Sequence, residues 1–177
     1  MKRLLGIAVI CLAAALGVRA QSAPVNPVSS HLRHVLNFFA NNLIATAQEF
    51  PADKYTYHPT PAQMTVGETM RHIAQVNNFA CSKVAGVPTP ELAKVSLTDK
   101  EKLVEGLKSS MDFCQQAFAK LDDSKLGDSV PWFGGQHTTR FGAAMEVTND
   151  LIDHYATLAT YLRLNGMLPP TAQHNKK

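Results

Sequence analysis

The chain has 177 residues, of which 45% are apolar and 18% charged, a composition that fits one domain with its own core. Seventeen Lys and Arg residues stand against fourteen Asp and Glu residues, for a formal net charge of +3. Apart from the terminal pair Lys176 and Lys177, the basic residues form no patch that would bind phosphates, so we expect no nucleic-acid partner.

The first twenty residues, 1–20, have the organisation of a secretory signal peptide. Lys2 and Arg3 form a basic start, an apolar run extends from Leu4 to Val18, and Ala20 is the small residue that signal peptidase reads. We predict cleavage between Ala20 and Gln21, which makes the protein exported, either periplasmic or secreted. The apolar run is shorter than the roughly twenty residues of a membrane-spanning helix, so no membrane anchor is expected after cleavage. An uncleaved anchor is the alternative.

Removal of this segment takes away three basic residues and leaves the mature chain nearly neutral. Cys11 follows the bulky Ile10, unlike a lipidation site, and is assigned to the apolar run. The remaining cysteines, Cys81 and Cys114, both lie in stretches with helical periodicity. A disulfide between neighbouring helices is the favoured interpretation in an oxidising compartment. Two buried thiols that pack as small apolar groups are the alternative.

Four helical stretches follow a flexible leader, which is predicted for residues 21–29. We predict these helices at 30–50, 65–85, 98–121 and 140–164. Apolar residues recur at three- and four-residue steps in the first, third and last of them. The second begins with a capping box formed by Thr65 and Glu68. With no convincing strand, residues 30–170 are predicted to form an all-α four-helix bundle with long loops, and residues 171–177 a flexible tail.

The connection from Asp122 to Thr139 is long for a compact domain and holds Trp132 and Phe133. These aromatic residues have two interpretations. They line the mouth of a pocket between helices, or they form a lid over the core.

Two histidines are predicted on the core-facing sides of their helices. His72 lies on the second helix, and His154 lies on the last helix, four residues after Asp150. A carboxylate and a histidine at this spacing can converge on one cation, and a histidine of a facing helix completes a three-ligand set with open positions. Asp153 and Asn149 fall on other faces. The alternative is that both histidines are ordinary interior residues held by hydrogen bonds, with Asp150 as a partner.

Several short motifs resemble the DinB-like (DinB/YfiT) family of four-helix bundles, and their order covers essentially the whole mature chain. The motifs are Pro59-Thr60-Pro61, Thr65 to Ala74 around His72, His154 to Leu158, Tyr161-Leu162-Arg163 and Gly166 to Pro170. The resemblance implies an up-down-down-up bundle with a divalent metal, often zinc or nickel. One histidine of the second helix and two histidines of the last helix hold this metal in the family.

Carried over to this chain, the resemblance assigns metal ligation to His72 and His154, with Asp150 at the position of the third histidine. Aspartate favours harder cations, so the predicted metals are zinc or nickel, with manganese or iron as further candidates. The activity implied is that of a metal-dependent hydrolase or thiol transferase acting on a small-molecule substrate. A non-catalytic metal- or ligand-binding bundle and a bundle with a degenerate site are the alternatives. A homodimer through a helix face is common among such bundles.

No general base is identified, because a capping role explains Glu68 more simply.

Overall fold

Four long helices form the architecture of the computed structural model, which describes residues 25–173. They are α1 (Pro27–Glu49), α2 (Val66–Ala85), α3 (Lys100–Ala119) and α4 (Arg140–Leu164). The predicted all-α class is confirmed, and the bounds of α2 and α4 agree with the prediction. The predicted signal peptide, its cleavage position and Cys11 lie outside the described residues. Within these residues, no helix combines the length and apolar character that crossing a membrane requires.

The helix directions follow from contacts at one end of the bundle. Asn26, just before α1, donates a hydrogen bond to Asp122, just after α3, at 3.1 Å. Arg140, at the start of α4, donates to the carbonyl oxygen of Val84 at the end of α2. The starts of α1 and α4 therefore lie beside the ends of α2 and α3. This is the up-down-down-up order that the resemblance implied.

The start of α2 is fixed by its capping residues and by a close backbone approach. The Thr65 hydroxyl accepts from the Glu68 N–H at 3.2 Å, and the Glu68 carboxylate accepts from the Thr65 N–H at 2.7 Å, which confirms the capping box. A Cβ at Gly67 would collide with the carbonyl oxygen of Leu97. Glycine at this position thus lets the α2–α3 connection cross directly over the first turn of α2.

The core lies between the four helices, two of which are linked by a disulfide. Its largest fully buried aliphatic and thioether side chains come from all four helices: Leu36, Leu43, Met70, Ile73, Leu107, Met111, Leu151 and Leu158. Cys81 of α2 and Cys114 of α3 are bonded, with Cα atoms 5.2 Å apart, so the predicted disulfide is confirmed. It links two helices that run side by side in the same direction.

The predicted boundaries of the bundle were wrong at both ends. The leader was predicted through residue 29, but α1 begins at Pro27, and Ser29 is buried. Asp123 explains this early start, since it accepts hydrogen bonds from the Ser29 N–H at 2.8 Å and the Ser29 hydroxyl at 2.6 Å. At the other end, residues 171–173 belong to the short helix α5 (Pro170–Gln173) rather than to a flexible tail. The outer parts of both predicted segments lie outside the described residues.

A small β-hairpin in the connection before α4 was also missed. Strands β1 (Ser129–Pro131) and β2 (His137–Thr139) pair antiparallel, with Val130 opposite Thr138. Gly134 and Gly135 take positive φ angles of 63° and 74° in the turn between them. Strands of three residues are too short for alternation of apolar and polar residues to be recognised in a sequence.

Candidate metal centre

The sequence places the three predicted ligands on facing sides of α2 and α4. The Thr65 cap begins α2, and buried Met70 and Ile73 hold the helix against the core, with His72 beside them at the boundary with solvent. On α4, Leu151 and Leu158 are fully buried. The same packing orients Asp150 and His154 toward α2.

The three side chains converge on one point between the helices. Oδ1 of Asp150 lies 3.4 Å from Nε2 of His72 and 3.3 Å from Nε2 of His154. One ligand atom from each residue lies within 4.8 Å of the other two. The fold thus brings together the three residues that were predicted from the sequence to lie in one cluster.

These separations fit a cation better than direct hydrogen bonds. Both contacts with Asp150 exceed the usual 2.7–3.2 Å of an N–H···O hydrogen bond. Ligand atoms at about 2.0–2.1 Å from a tetrahedral zinc ion lie roughly 3.3–3.4 Å from each other. The two measured contacts have this spacing.

Asp150 also holds an oxygen atom with no compensating contact. Its Oδ2 is buried and has no hydrogen-bond partner among the described residues. Leaving a buried acceptor unpaired costs on the order of 1–3 kcal/mol, and more for a charged group. A cation at the carboxylate would offset that cost, so this donor set fits a divalent metal.

The two histidines differ in their exposure to solvent. The His72 side chain is 41% exposed, whereas that of His154 is 10% exposed. The prediction that both face the core therefore holds for His154 only. His72 lies at the edge of the α2–α4 groove, which leaves the cluster accessible to a solvent molecule or a ligand from that side.

The other candidate groups from the sequence do not join the cluster. Asp153 and Asn149 are exposed, as expected for residues on other faces of α4. Glu68 is engaged by Thr65, whose backbone and side-chain hydrogen bonds hold the pKa of that carboxyl below its ordinary value. Its role is therefore that of a helix cap.

The aromatic loop residues pack on α2 two turns beyond His72. Phe133 stacks on Phe79 with ring centroids 4.1 Å apart and an interplanar angle of 18°. Trp132 contacts the same ring at 5.0 Å and is half-buried, while Phe133 is 58% exposed. These residues cover the α2 surface at one end of the groove that holds the cluster.

A pocket beside His154 was not predicted from the sequence. It has a volume of about 280 Å³ and is lined in part by His154, Asp153, Thr157 and Tyr161. The signal was available in the spacing, because residues three and seven positions after His154 share its helix face.

Comparison with known proteins agrees with this architecture. The family model of the DinB superfamily matches residues 36–158, more than half of the chain. The chain belongs to the DinB superfamily. A search of curated proteins gave no match.

Two solved structures share the fold of this chain. A DinB-like protein from Bacillus subtilis (YjoA) is 18% identical, with a TM-score of 0.63 over 77% of this chain and 92% of that chain. A conserved protein from Enterococcus faecalis is 15% identical, with a TM-score of 0.56 over 77% and 95% of the two chains. At these identities, the likeness establishes the bundle fold of this DinB-superfamily chain.

Proposed function

We propose that this protein binds one divalent metal ion through His72, Asp150 and His154 and hydrolyses a small-molecule substrate outside the cytoplasm. One observation carries the proposal. Two imidazole nitrogens approach the same carboxylate oxygen at 3.3 and 3.4 Å, the spacing of ligands around a tetrahedral cation. Zinc or nickel suits the two imidazoles, and Asp150 also admits manganese or iron.

His72, Asp150 and His154 would hold the ion, and the exposed side of His72 leaves the cluster open to solvent. A bound divalent cation supplies a nucleophile near neutral pH, because it lowers the pKa of a coordinated water. Asp150 neutralises part of the positive charge. His154, buried against the core, fixes the position of the site within the groove.

The disulfide favours hydrolysis over thiol transfer. The Cys81–Cys114 bond is expected in an oxidising compartment, where the low-molecular-weight thiols that a transferase needs are scarce. Water is available as the acceptor in every compartment. The disulfide also supports export of the chain.

Elemental analysis of purified protein tests the metal site. Protein expressed with added zinc, nickel and manganese should contain about one equivalent of divalent metal, because the three ligands form one site. The Asp150→Ala variant should lose this metal. Asp112→Ala removes an exposed carboxylate on α3 and serves as the matched control. Metal near zero in the wild type, or equal metal in wild type and Asp150→Ala, would refute the proposal.

Turnover separates an enzyme from a non-catalytic metal-binding bundle. Metal-loaded protein should hydrolyse at least one member of a panel of activated esters, lactones and amides, and His72→Ala should abolish that activity. Full metal content without turnover across the panel would instead support the non-catalytic alternative.

Export is tested separately by following the full-length chain in a bacterial host. We expect the mature protein in the periplasmic or secreted fraction with Gln21 at its amino terminus. A variant that lacks residues 1–20 should stay in the cytoplasm. Recovery of the uncleaved full-length chain in the cytoplasm or membrane would contradict export.

A further inference from the structure

The pocket next to His154 shares that residue with the metal cluster. Its volume is about 280 Å³, and its walls include Met64, Thr69, Asp153, His154, Thr157 and Tyr161. Thr69 lies one turn before His72 on α2, while Thr157 and Tyr161 follow His154 by one and two turns on α4. A ligand that fills this pocket therefore lies directly beside a metal-ligating side chain.

Two hydroxyl groups that line the pocket already donate their hydrogens to backbone carbonyl oxygens. Tyr161 donates to the carbonyl oxygen of Met64 at 3.1 Å, and Thr69 donates to the carbonyl oxygen of Thr65 at 2.9 Å. Each hydroxyl has a single hydrogen and two lone pairs, so neither can donate to a ligand, and both side chains are almost fully buried. Burial raises the pKa of the Tyr161 hydroxyl, which keeps it protonated and its donor bond intact at neutral pH.

The charges around the pocket disfavour an acidic ligand. Asp153 is an exposed carboxylate, which when ionised only accepts hydrogen bonds. It forms no ion pair with any other described residue. The described lining residues include no Lys or Arg. The exposed amide of Gln63 and the hydroxyl of Thr157 also line the pocket and can donate hydrogen bonds. The lining therefore offers neutral donors and acceptors, one negative charge, and no Lys or Arg to attract an acidic group.

We propose that this pocket binds the tail of a small-molecule ligand through an ammonium group paired to Asp153, and that it disfavours ligands with a carboxylate tail. The inference rests on the proposed function, because the metal cluster would hold the head of the same ligand. Asp153 is a specificity-determining residue in this arrangement.

Three probes of equal length test the inference by calorimetry. Each has a hydroxamate head, which chelates divalent cations through two oxygens, and an ammonium, hydroxyl or carboxylate tail. Zinc-loaded wild-type protein should bind the ammonium probe about tenfold more tightly than the carboxylate probe. Asp153→Asn should reduce that ratio to about twofold and leave the affinity for the hydroxyl probe nearly unchanged.

Two further variants complete the design. Thr69→Val removes a buried hydroxyl without changing any charge, so it should leave the preference for the ammonium probe over the carboxylate probe in place. Asp112→Asn removes an exposed carboxylate of α3 and should leave all three affinities as in the wild type.

The other possible results would contradict either the inference about Asp153 or the metal site. If the wild type binds the three probes equally, or if Asp153→Asn preserves the preference, the inference is wrong. Normal zinc content in those same samples would leave the metal site standing. A wild-type protein that takes up no zinc would overturn the metal site, and the inference with it.

Discussion

The imidazole rings of His72 and His154 meet edge to face, with centroids 4.9 Å apart and an interplanar angle of 75°. The two residues are 82 positions apart in the sequence and belong to different helices. Together with Asp150, they form the cluster that we propose binds a metal. Variants at these positions should separate the effect of metal ligation from the effect of side-chain packing.

Asp150 should determine which metal the cluster prefers. The superfamily resemblance gives a histidine at this position, and imidazole suits zinc and nickel, whereas carboxylate suits manganese. We expect Asp150→His to retain one metal equivalent and to raise the ratio of zinc to manganese affinity by about tenfold or more. Competition titrations with a chromogenic chelator measure both affinities. An unchanged ratio would show that residue 150 is not a ligand.

His72 and His154 should contribute equally to metal binding and unequally to stability. Both alanine variants should lose the metal. In metal-free protein, His154→Ala should lower the free energy of unfolding by about 1–3 kcal/mol, because the ring is buried. His72→Ala should change it by less than about 0.5 kcal/mol, because that side chain is half-exposed. Urea unfolding in the presence of a chelator measures the difference, and equal losses would contradict it.

Sequence patterns predicted the parts of this fold that depend on local rules. The capping box of Thr65 and Glu68 and the periodicity of α4 describe interactions within four residues, and both were confirmed. The start of α1 was mispredicted because it depends on Asp123, which binds Ser29 from 94 residues away. No local pattern contains that contact.

In the candidate site, too, features set by local spacing were predicted and features set by helix packing were not. The four-residue spacing of Asp150 and His154 placed both on one face of α4. His72 of α2 was chosen for its predicted core-facing position, and the resemblance then matched it. The exposure of His72 and the pocket beside His154 were not predicted. Both depend on how α2 and α4 pack against each other, which no local pattern contains.

Two helix glycines should respond in opposite ways to alanine. Gly67→Ala should destabilise the protein by about 1–3 kcal/mol, because its Cβ would collide with the Leu97 carbonyl oxygen. Gly106→Ala should stabilise it by about 0.5–1 kcal/mol, because the nearest atom to a Cβ there is a Leu92 methyl carbon at 3.5 Å. Thermal unfolding of both variants provides the comparison. A stabilised Gly67→Ala would show that the α2–α3 connection does not cross at that point.

The disulfide between Cys81 and Cys114 should account for a large part of the stability. It closes a loop with a sequence separation of 33 residues, for which chain entropy predicts about 3–4 kcal/mol. Reduced wild-type protein, refolded under reductant, keeps both sulfur atoms and is the matched reference for urea unfolding. The mass of the oxidised protein should be lower than that of the reduced protein by two hydrogens. Two alkylatable thiols in the unfolded, unreduced protein would rule the bond out.

Tyr55 should make the stability fall at alkaline pH. Its side chain is fully buried, its hydroxyl donates to the carbonyl oxygen of Ala47 at 2.8 Å, and burial raises its pKa above the ordinary value. The unfolded chain loses this proton near pH 10, whereas the folded chain retains it. The stability contributed by the neutral phenol is therefore complete below about pH 10 and is lost as the pH rises toward the folded pKa, by up to about 1.4 kcal/mol per pH unit.

Tyr55→Phe isolates this effect from the titration of other groups. At neutral pH the variant should be less stable by about 1–2 kcal/mol, because the Ala47 carbonyl loses its donor. Between about pH 10 and pH 11 it should lose less stability than the wild type, since phenylalanine has no proton to release. Urea unfolding at both pH values measures the two slopes. Equal slopes would mean that Tyr55 ionises as readily in the folded protein as in the unfolded chain.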